Sequence, residues 1–169
     1  QNATYIFSLF LDEGYFSDAY AETIAQWHTW QYFTDQGALA YASPDAQIVK
    51  RNDSLLFIVR TTDQLASSEP GEKSVEIVTK ERISTLDNDL IPIGRWVDIV
   101  LQASWSYHSN AAYLKLYIDG ELVVNHSGPN AIRVPTNAPP FFKTGIYNKW
   151  SKNEIDEKKS YLPRRMWLD

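Results

Sequence analysis

The stretch YLKLYIDGELVV at positions 113–124 decides the fold class. Apolar and polar residues alternate on both sides of Asp119-Gly120, which is the period-two pattern of half-buried strands. A two-residue type I′ turn needs positive φ at both central positions, and an Asp-Gly pair adopts such a turn readily. The stretch therefore predicts a β-hairpin and, with it, an antiparallel sheet.

Segments of the same kind recur along the chain, separated by clusters of Gly, Pro, Asn and Asp. We predict strands at 4–11, 22–28, 46–50, 54–62, 74–80, 95–105, 112–118, 121–125, 141–147 and 165–168. This spacing is typical of an all-β protein, an antiparallel β-sandwich or jelly roll. Only 17–23 and 156–160 show weak helical patterns, so helices should be minor.

Composition limits the class of protein further. The 169 residues carry a formal charge of −5, contain no cysteine and are 44% hydrophobic, which indicates one globular domain over 1–169. No apolar run is long enough for a membrane helix, and the acidic balance argues against nucleic-acid binding. The absence of cysteine excludes disulfides, thiolate metal sites and cysteine nucleophiles. We expect a monomer.

The predicted strand 22–28 carries an amide and an imidazole on one face. Alternation places Ile24, Gln26 and His28 together, with Thr23, Ala25 and Trp27 on the other face. Gln and His are expensive to bury unless they are paired, so the pair is unusual for a core. Taken alone, the pattern is more often a histidine that is hydrogen-bonded at a strand end.

The predicted strand 141–147 carries a second polar face. Period two places Phe141, Lys143, Gly145 and Tyr147 together, and leaves Phe142, Thr144 and Ile146 for the core. Glycine between the two polar side chains leaves room for a ligand to approach the backbone closely. The face is typical of a groove floor, although a Lys and a Tyr on an exposed strand are common without function.

In combination, the two segments resemble a known group of enzymes. Gln26-x-His28, followed by Phe142-Lys-Thr-Gly-Ile-Tyr-Asn148, is similar to the motifs of polysaccharide lyases built on a concanavalin-like β-jelly roll. The segments 94–100, 104–106 and 117–124 resemble the heparin lyase I and glucuronan lyase branch, and alginate lyases share both motifs. The resemblance covers the chain from about residue 4 to 169.

The resemblance implies cleavage of a uronate-containing polysaccharide by β-elimination. Gln26 and Lys143 would stabilise the enolate-like charge, His28 would be the base, and Tyr147 would protonate the leaving oxygen. Tyr147 could also serve as base if a nearby cation, for which Lys143 is suitably spaced, lowered its pKa. Asn148 completes the second motif as a substrate-binding residue.

Further expectations concern cofactors, location and completeness. The resemblance implies a secreted or periplasmic enzyme that needs no cofactor. Some relatives hold a structural Ca²⁺, so calcium stays open without an assigned ligand. Relatives usually carry an arginine on a strand upstream of Gln-x-His; we expect that outermost N-terminal strand to be missing, since the first arginine here is Arg51.

Additional sugar-binding residues come from alternation. Gln102, Tyr113 and Tyr117 lie opposite the predicted core positions of their strands, and we expect them to line the groove. Arg60 ends a predicted strand and could bind a carboxylate, although such an arginine is more often solvated.

Two other functions remain as alternatives. A non-catalytic, lectin-like carbohydrate-binding module would keep the fold without needing all four motif residues. Glycoside hydrolysis would need two carboxylates across the groove, and no such pair stands out. The net charge favours a polyuronate such as glucuronan or alginate over heavily sulfated heparin.

Overall fold

The structure is a computed structural model that describes residues 1–13, 15, 22–51, 54–135, 138–148 and 166–169. Its strands are β1 Asn2–Leu11, β2 Glu22–His28, β3 Tyr32–Phe33, β4 Leu39–Tyr41, β5 Ala46–Arg51, β6 Ser54–Thr61, β7 Ser74–Glu76, β8 Lys80–Leu86, β9 Trp96–Ser104, β10 Tyr113–Ile118, β11 Glu121–Ser127, β12 Phe141–Asn148 and β13 Met166–Leu168. In this part of the chain, the 3₁₀ turn Asn88–Leu90 is the one helical element.

Two five-stranded antiparallel sheets form the sandwich. One has the order β11-β10-β9-β1-β13 and the other the order β12-β2-β5-β6-β8. A third sheet, β3-β4-β7, is small and contains a parallel pair, β4 with β7. The predicted all-β antiparallel sandwich is confirmed. Of the weak helical patterns, 156–160 and the first part of 17–23 lie outside the described residues, whereas Glu22 and Thr23 begin the strand β2.

The predicted hairpin is confirmed. Tyr117 pairs with Leu122 and Ile118 with Glu121, so that Asp119 and Gly120 form the two-residue loop. Their φ angles are 50° and 81°, as a type I′ turn requires. The Asp119 carboxylate accepts hydrogen bonds from the Asp98 backbone N–H and from Arg95, and these two contacts lower its pKa.

The core lies between the two large sheets and follows the alternation of their strands. In β9, Val97, Ile99, Leu101 and Ala103 are fully buried, as predicted. Trp27 of β2 is also fully buried and contacts the rings of Tyr5, Phe7, Phe57 and Phe142 at centroid distances of 5.4–6.5 Å. This aromatic cluster holds the two sheets together directly beneath Gln26 and His28.

The sequence patterns missed three strands and misjudged one. β3 and β4 are only two and three residues long, and β8 has no period-two pattern because it is mostly exposed at the end of its sheet. The predicted strand 74–80 divides into β7, which ends at Glu76, and the start of β8 at Lys80. β7 pairs with β4 in the small sheet and belongs to neither large sheet.

Candidate active site

An open groove of about 730 Å³ lies on the outer face of the sheet β12-β2-β5-β6-β8. Its floor consists of outward-facing side chains from all five strands. Residues 41–44, at the end of β4 and after it, and Glu76 of β7 form one wall, so the small sheet closes one side of the groove.

β2 contributes Thr23, Gln26 and His28 to the groove. The sequence prediction placed Ile24 on this face and Thr23 on the other, and both placements are wrong. Thr23 pairs with Val49 and Ala25 with Ile48, which leaves Ile24 as the extra residue of a β-bulge. Ile24 and Ala25 therefore both turn into the core, and the alternation changes phase between Thr23 and Gln26.

β12 shows a matching irregularity. Thr144 pairs with Ala25 and Tyr147 with Thr23, so Gly145 and Ile146 together face Ile24. Gly145 has a φ of +146°, and a Cβ there would meet no atom within 4 Å. Glycine is needed for the backbone angle, and the space above it is open to a ligand, as predicted.

The strand register brings three of the four motif residues close together. Lys143 pairs directly with Gln26, and Phe141 pairs with His28. Directly opposed residues have Cβ atoms about 5 Å apart. Tyr147 also lines the groove, but it pairs with Thr23 and lies on the far side of the bulge.

The His28 ring has a defined tautomer. Its Nδ1 lies 2.7 Å from the Thr29 carbonyl oxygen, which can only accept a hydrogen bond, so Nδ1 carries the proton. Nε2 then keeps a free lone pair. Burial lowers the pKa of His28, and the nearby charges of Lys143 and Arg60 lower it further. The imidazole is therefore neutral at pH 7 and can accept a proton through Nε2.

The Lys143 ammonium is directed toward His28 rather than toward Tyr147. Nζ lies 4.7 Å from the centre of the Phe141 ring, and Phe141 precedes Lys143 on the strand whereas Tyr147 follows it. The Phe141 ring also stacks on His28, with centroids 5.8 Å apart, and contacts Trp30 at 4.4 Å. Trp30 is half exposed and extends this aromatic surface beyond the groove end.

Arg60 lines the groove, but its side chain is already engaged. It is only 7% exposed, its Nε donates to the Glu81 carboxylate and its Nη1 donates to the Pro44 carbonyl at 3.0 Å. The guanidinium connects β6 to β8 and to the wall residue Pro44. It is not the solvated strand-end arginine that the sequence alternative suggested.

The structure does not bring Gln102, Tyr113 and Tyr117 to the groove. They lie on β9 and β10, which belong to the other large sheet, β11-β10-β9-β1-β13. Their side chains are on the face of that sheet that points away from the core. Alternation correctly identified an outward face, but it cannot tell which sheet that face belongs to. The backbone of Asn148 ends β12, and its side chain lies outside the described part of the structure.

Sequence reasoning overlooked several groove residues, among them Gln47, Tyr41 and Glu76. Gln47 pairs directly with Gln26 and therefore extends the row Lys143–Gln26 by one strand. The alternation in Ala46–Arg51 could have indicated its outward direction, but only the strand order shows that it neighbours Gln26.

Two other features bear on ligands. Within the described residues, no group of three or more His, Asp and Glu side chains could hold a metal ion. The Asp87 carboxylate accepts a hydrogen bond from the Asp89 backbone N–H and caps the 3₁₀ turn. A second cavity of about 450 Å³, lined by Thr29, Trp105 and His108 among others, contains none of the predicted site residues. No described helix has the length and apolar character to cross a membrane.

Comparisons with known proteins found a matching family and similar solved structures. A family model described as polysaccharide lyase matches residues 1–169. The structure of an endo-β-1,4-glucuronan lyase from the fungus Trichoderma reesei is similar, with a TM-score of 0.65 and 19% identity over 100% of this chain. The chain spans 66% of the length of that structure, just under two thirds.

A second solved structure shares the fold alone. The botulinum neurotoxin serotype D binding domain is 13% identical, with a TM-score of 0.52, over 99% of this chain and 31% of the other. No curated protein sequence matches the chain.

Proposed function

Because the chain belongs to the polysaccharide lyase family, we propose that it cleaves a uronate-containing polysaccharide by β-elimination at the groove of β12 and β2. One observation carries the proposal. A neutral imidazole with a free Nε2 lies beside an amide and an ammonium that oppose each other on neighbouring strands. These are the groups that an elimination next to a carboxylate requires.

The first requirement is to stabilise charge on the carboxylate. Removing the proton from the carbon beside the carboxylate moves an electron pair toward the carboxylate oxygens, which then carry a second negative charge. The Gln26 amide N–H and the Lys143 ammonium can both donate to those oxygens. Donors preorganised in a partly desolvated groove stabilise such charge far better than water does.

The second requirement is a base and an acid. His28 Nε2 accepts the proton, the electron pair forms a carbon–carbon double bond, and the bond from the next ring carbon to the glycosidic oxygen breaks. Tyr147 donates its hydroxyl proton to that oxygen. Where the abstracted proton and the leaving oxygen lie on the same side of the ring, Tyr147 would perform both steps only with a cation beside it other than Lys143, which is directed toward His28.

The test is turnover of a panel of polyuronates: glucuronan, alginate, heparin, heparan sulfate and hyaluronan. Each elimination creates an unsaturated uronate, which near-ultraviolet absorbance detects. We expect activity on at least one polymer, and its loss in His28→Ala and Tyr147→Phe, with His126→Ala and Tyr107→Phe as controls on residues outside the groove. Tight binding of a polymer without turnover would support the lectin-like alternative instead.

A further inference from the structure

A stack of three rings leads from the groove to the protein surface beyond it. The rings of Trp30 and Phe141 have centroids 4.4 Å apart, and those of Phe141 and His28 are 5.8 Å apart. The interplanar angles are 33° and 30°, so each ring is tilted only moderately against the next. His28 lines the groove and Trp30 does not. The stack therefore connects the proposed base with a ring that lies outside the groove.

Trp30 is the exposed end of this stack. It is 55% exposed, although Thr29, directly before it, is only 3% exposed. Among the described aromatic rings, that of Phe141 is the one that Trp30 contacts. Phe141 is itself held opposite His28 by the strand register, so its position does not depend on Trp30. The open surface of the Trp30 indole is therefore available to a ligand.

The stack lies where two concave surfaces meet. Thr29, which directly follows His28, and Pro140, which directly precedes Phe141, both line the second cavity of about 450 Å³. His28 itself lines the groove. A polymer that extends past His28 at this end of the groove therefore reaches the aromatic stack next.

The size and position of the open indole surface indicate a sugar ring as its occupant. One face of a pyranose carries mainly C–H bonds, which pack on an aromatic ring while the hydroxyls and the carboxylate stay in water. A stable protein partner would need about 800 Å² on each side, far more than one indole offers. Only the Phe141 ring separates Trp30 from His28, so the sugar on Trp30 is a near neighbour of the one at His28.

We propose, as an extension of the proposed lyase function, that Trp30 forms a sugar-binding subsite outside the groove. It holds a sugar of the same polyuronate chain, near the one that is cleaved. The subsite contributes only when the chain is long enough to reach it, so it favours long polymers over short oligosaccharides. Removing about 60 Å² of apolar ring surface from water favours binding by about tenfold.

The experiment measures kcat/KM on size-fractionated oligosaccharides of glucuronan and of alginate. With the unmodified protein, kcat/KM should rise by about tenfold at the chain length that first reaches Trp30. This rise should be missing in Trp30→Ala and largely kept in Trp30→Tyr, which retains an aromatic face. Trp167→Ala is the matched control, because Trp167 is also 55% exposed but lies on β13 of the other large sheet. It should show the same rise as the unmodified protein.

Two outcomes of the rate measurements would overturn the subsite and leave the lyase function intact. One is a rise that persists in Trp30→Ala, or a profile of the unmodified protein without any rise. The other is a loss of rate in Trp30→Ala by the same factor at every chain length. Trp30 would then act by holding the Phe141 and His28 rings and not by binding a sugar.

Equilibrium binding separates the subsite from the proposed function. The same oligosaccharides are titrated into Tyr147→Phe, which keeps the aromatic stack, and into Tyr147→Phe combined with Trp30→Ala. Long oligosaccharides should bind about tenfold more tightly to the first protein, and short ones equally to both. This binding difference, without turnover by the unmodified protein, would support the subsite and overturn the lyase function. Equal binding of long oligosaccharides to both proteins would overturn the subsite regardless of turnover.

Discussion

Replacing Asp45 with asparagine should change the pH dependence of folding stability. Asp45 immediately precedes β5 in the sequence and is fully buried. Its Oδ1 accepts a hydrogen bond from the Ile132 backbone N–H at 2.6 Å, and its Oδ2 has no hydrogen-bond partner in the described part of the chain. Burial raises the pKa of Asp45 from 3.8 to about 7, although the Ile132 N–H and Arg60 act in the opposite direction.

The sign follows from comparing the folded and unfolded states. The folded protein keeps the Asp45 proton up to about pH 7, whereas the unfolded chain releases it near pH 3.8. The contribution of Asp45 to stability is therefore complete below pH 3.8 and is lost as the pH rises through 7. At about 1.36 kcal/mol for each pH unit, the loss amounts to about 4 kcal/mol.

Urea denaturation at a series of pH values from 4 to 8 measures this effect. Asp45→Asn cannot ionise, so its free energy of unfolding relative to the unmodified protein should rise by about 4 kcal/mol from pH 4 to pH 8. Asp35→Asn, at an exposed position, is the matched control. If the curves for Asp45→Asn and the unmodified protein ran parallel, Asp45 would not be buried as a neutral acid.

Two further predictions concern the groove. The acidic limb of the pH profile of kcat/KM should lie below pH 6.5, because burial and the charge of Lys143 lower the pKa of His28. In Lys143→Met, the residual activity should show this limb at a higher pH. A limb at the same pH in both proteins would contradict the contribution of Lys143. Gly145→Ala should cost about 1–3 kcal/mol in a thermal or urea melt and also reduce activity, because the strained backbone carries Tyr147. Gly120→Ala, in the hairpin turn, should cost stability without loss of activity, and equal activity of the two variants would exclude a positioning role for the bulge.

The sequence predicted the fold well wherever a strand has one buried face. β9 and β10 alternate cleanly because one face of each meets the core, and Asp119-Gly120 determines how β10 and β11 connect. β8 could not be predicted in the same way. Its side chains are mostly exposed, so it has no buried face to give an alternating pattern. Backbone hydrogen bonds to β6 hold it in the sheet instead.

The candidate site was predictable to the extent that period two holds. It holds for Gln26 and His28 and for Lys143, and it fails at Ile24, where the bulge changes the phase. Gly145 was the available signal, because an isolated glycine within a strand often marks a bulge. Gln102, Tyr113 and Tyr117 show a different limit: their outward direction depends on local alternation, whereas their sheet depends on long-range pairing.

The division of the site between β2 and β12 has a consequence for its motions. β2 is hydrogen-bonded on both sides, by β12 and β5, whereas β12 is the last strand in the described order of its sheet. The backbone amides of Gln26 and His28 should therefore exchange with deuterium only when the sandwich opens, and β12 should exchange through local fraying. The proposed base, His28, therefore lies on a strand that is paired on both sides, whereas the proposed acid, Tyr147, lies on a strand that should open before it.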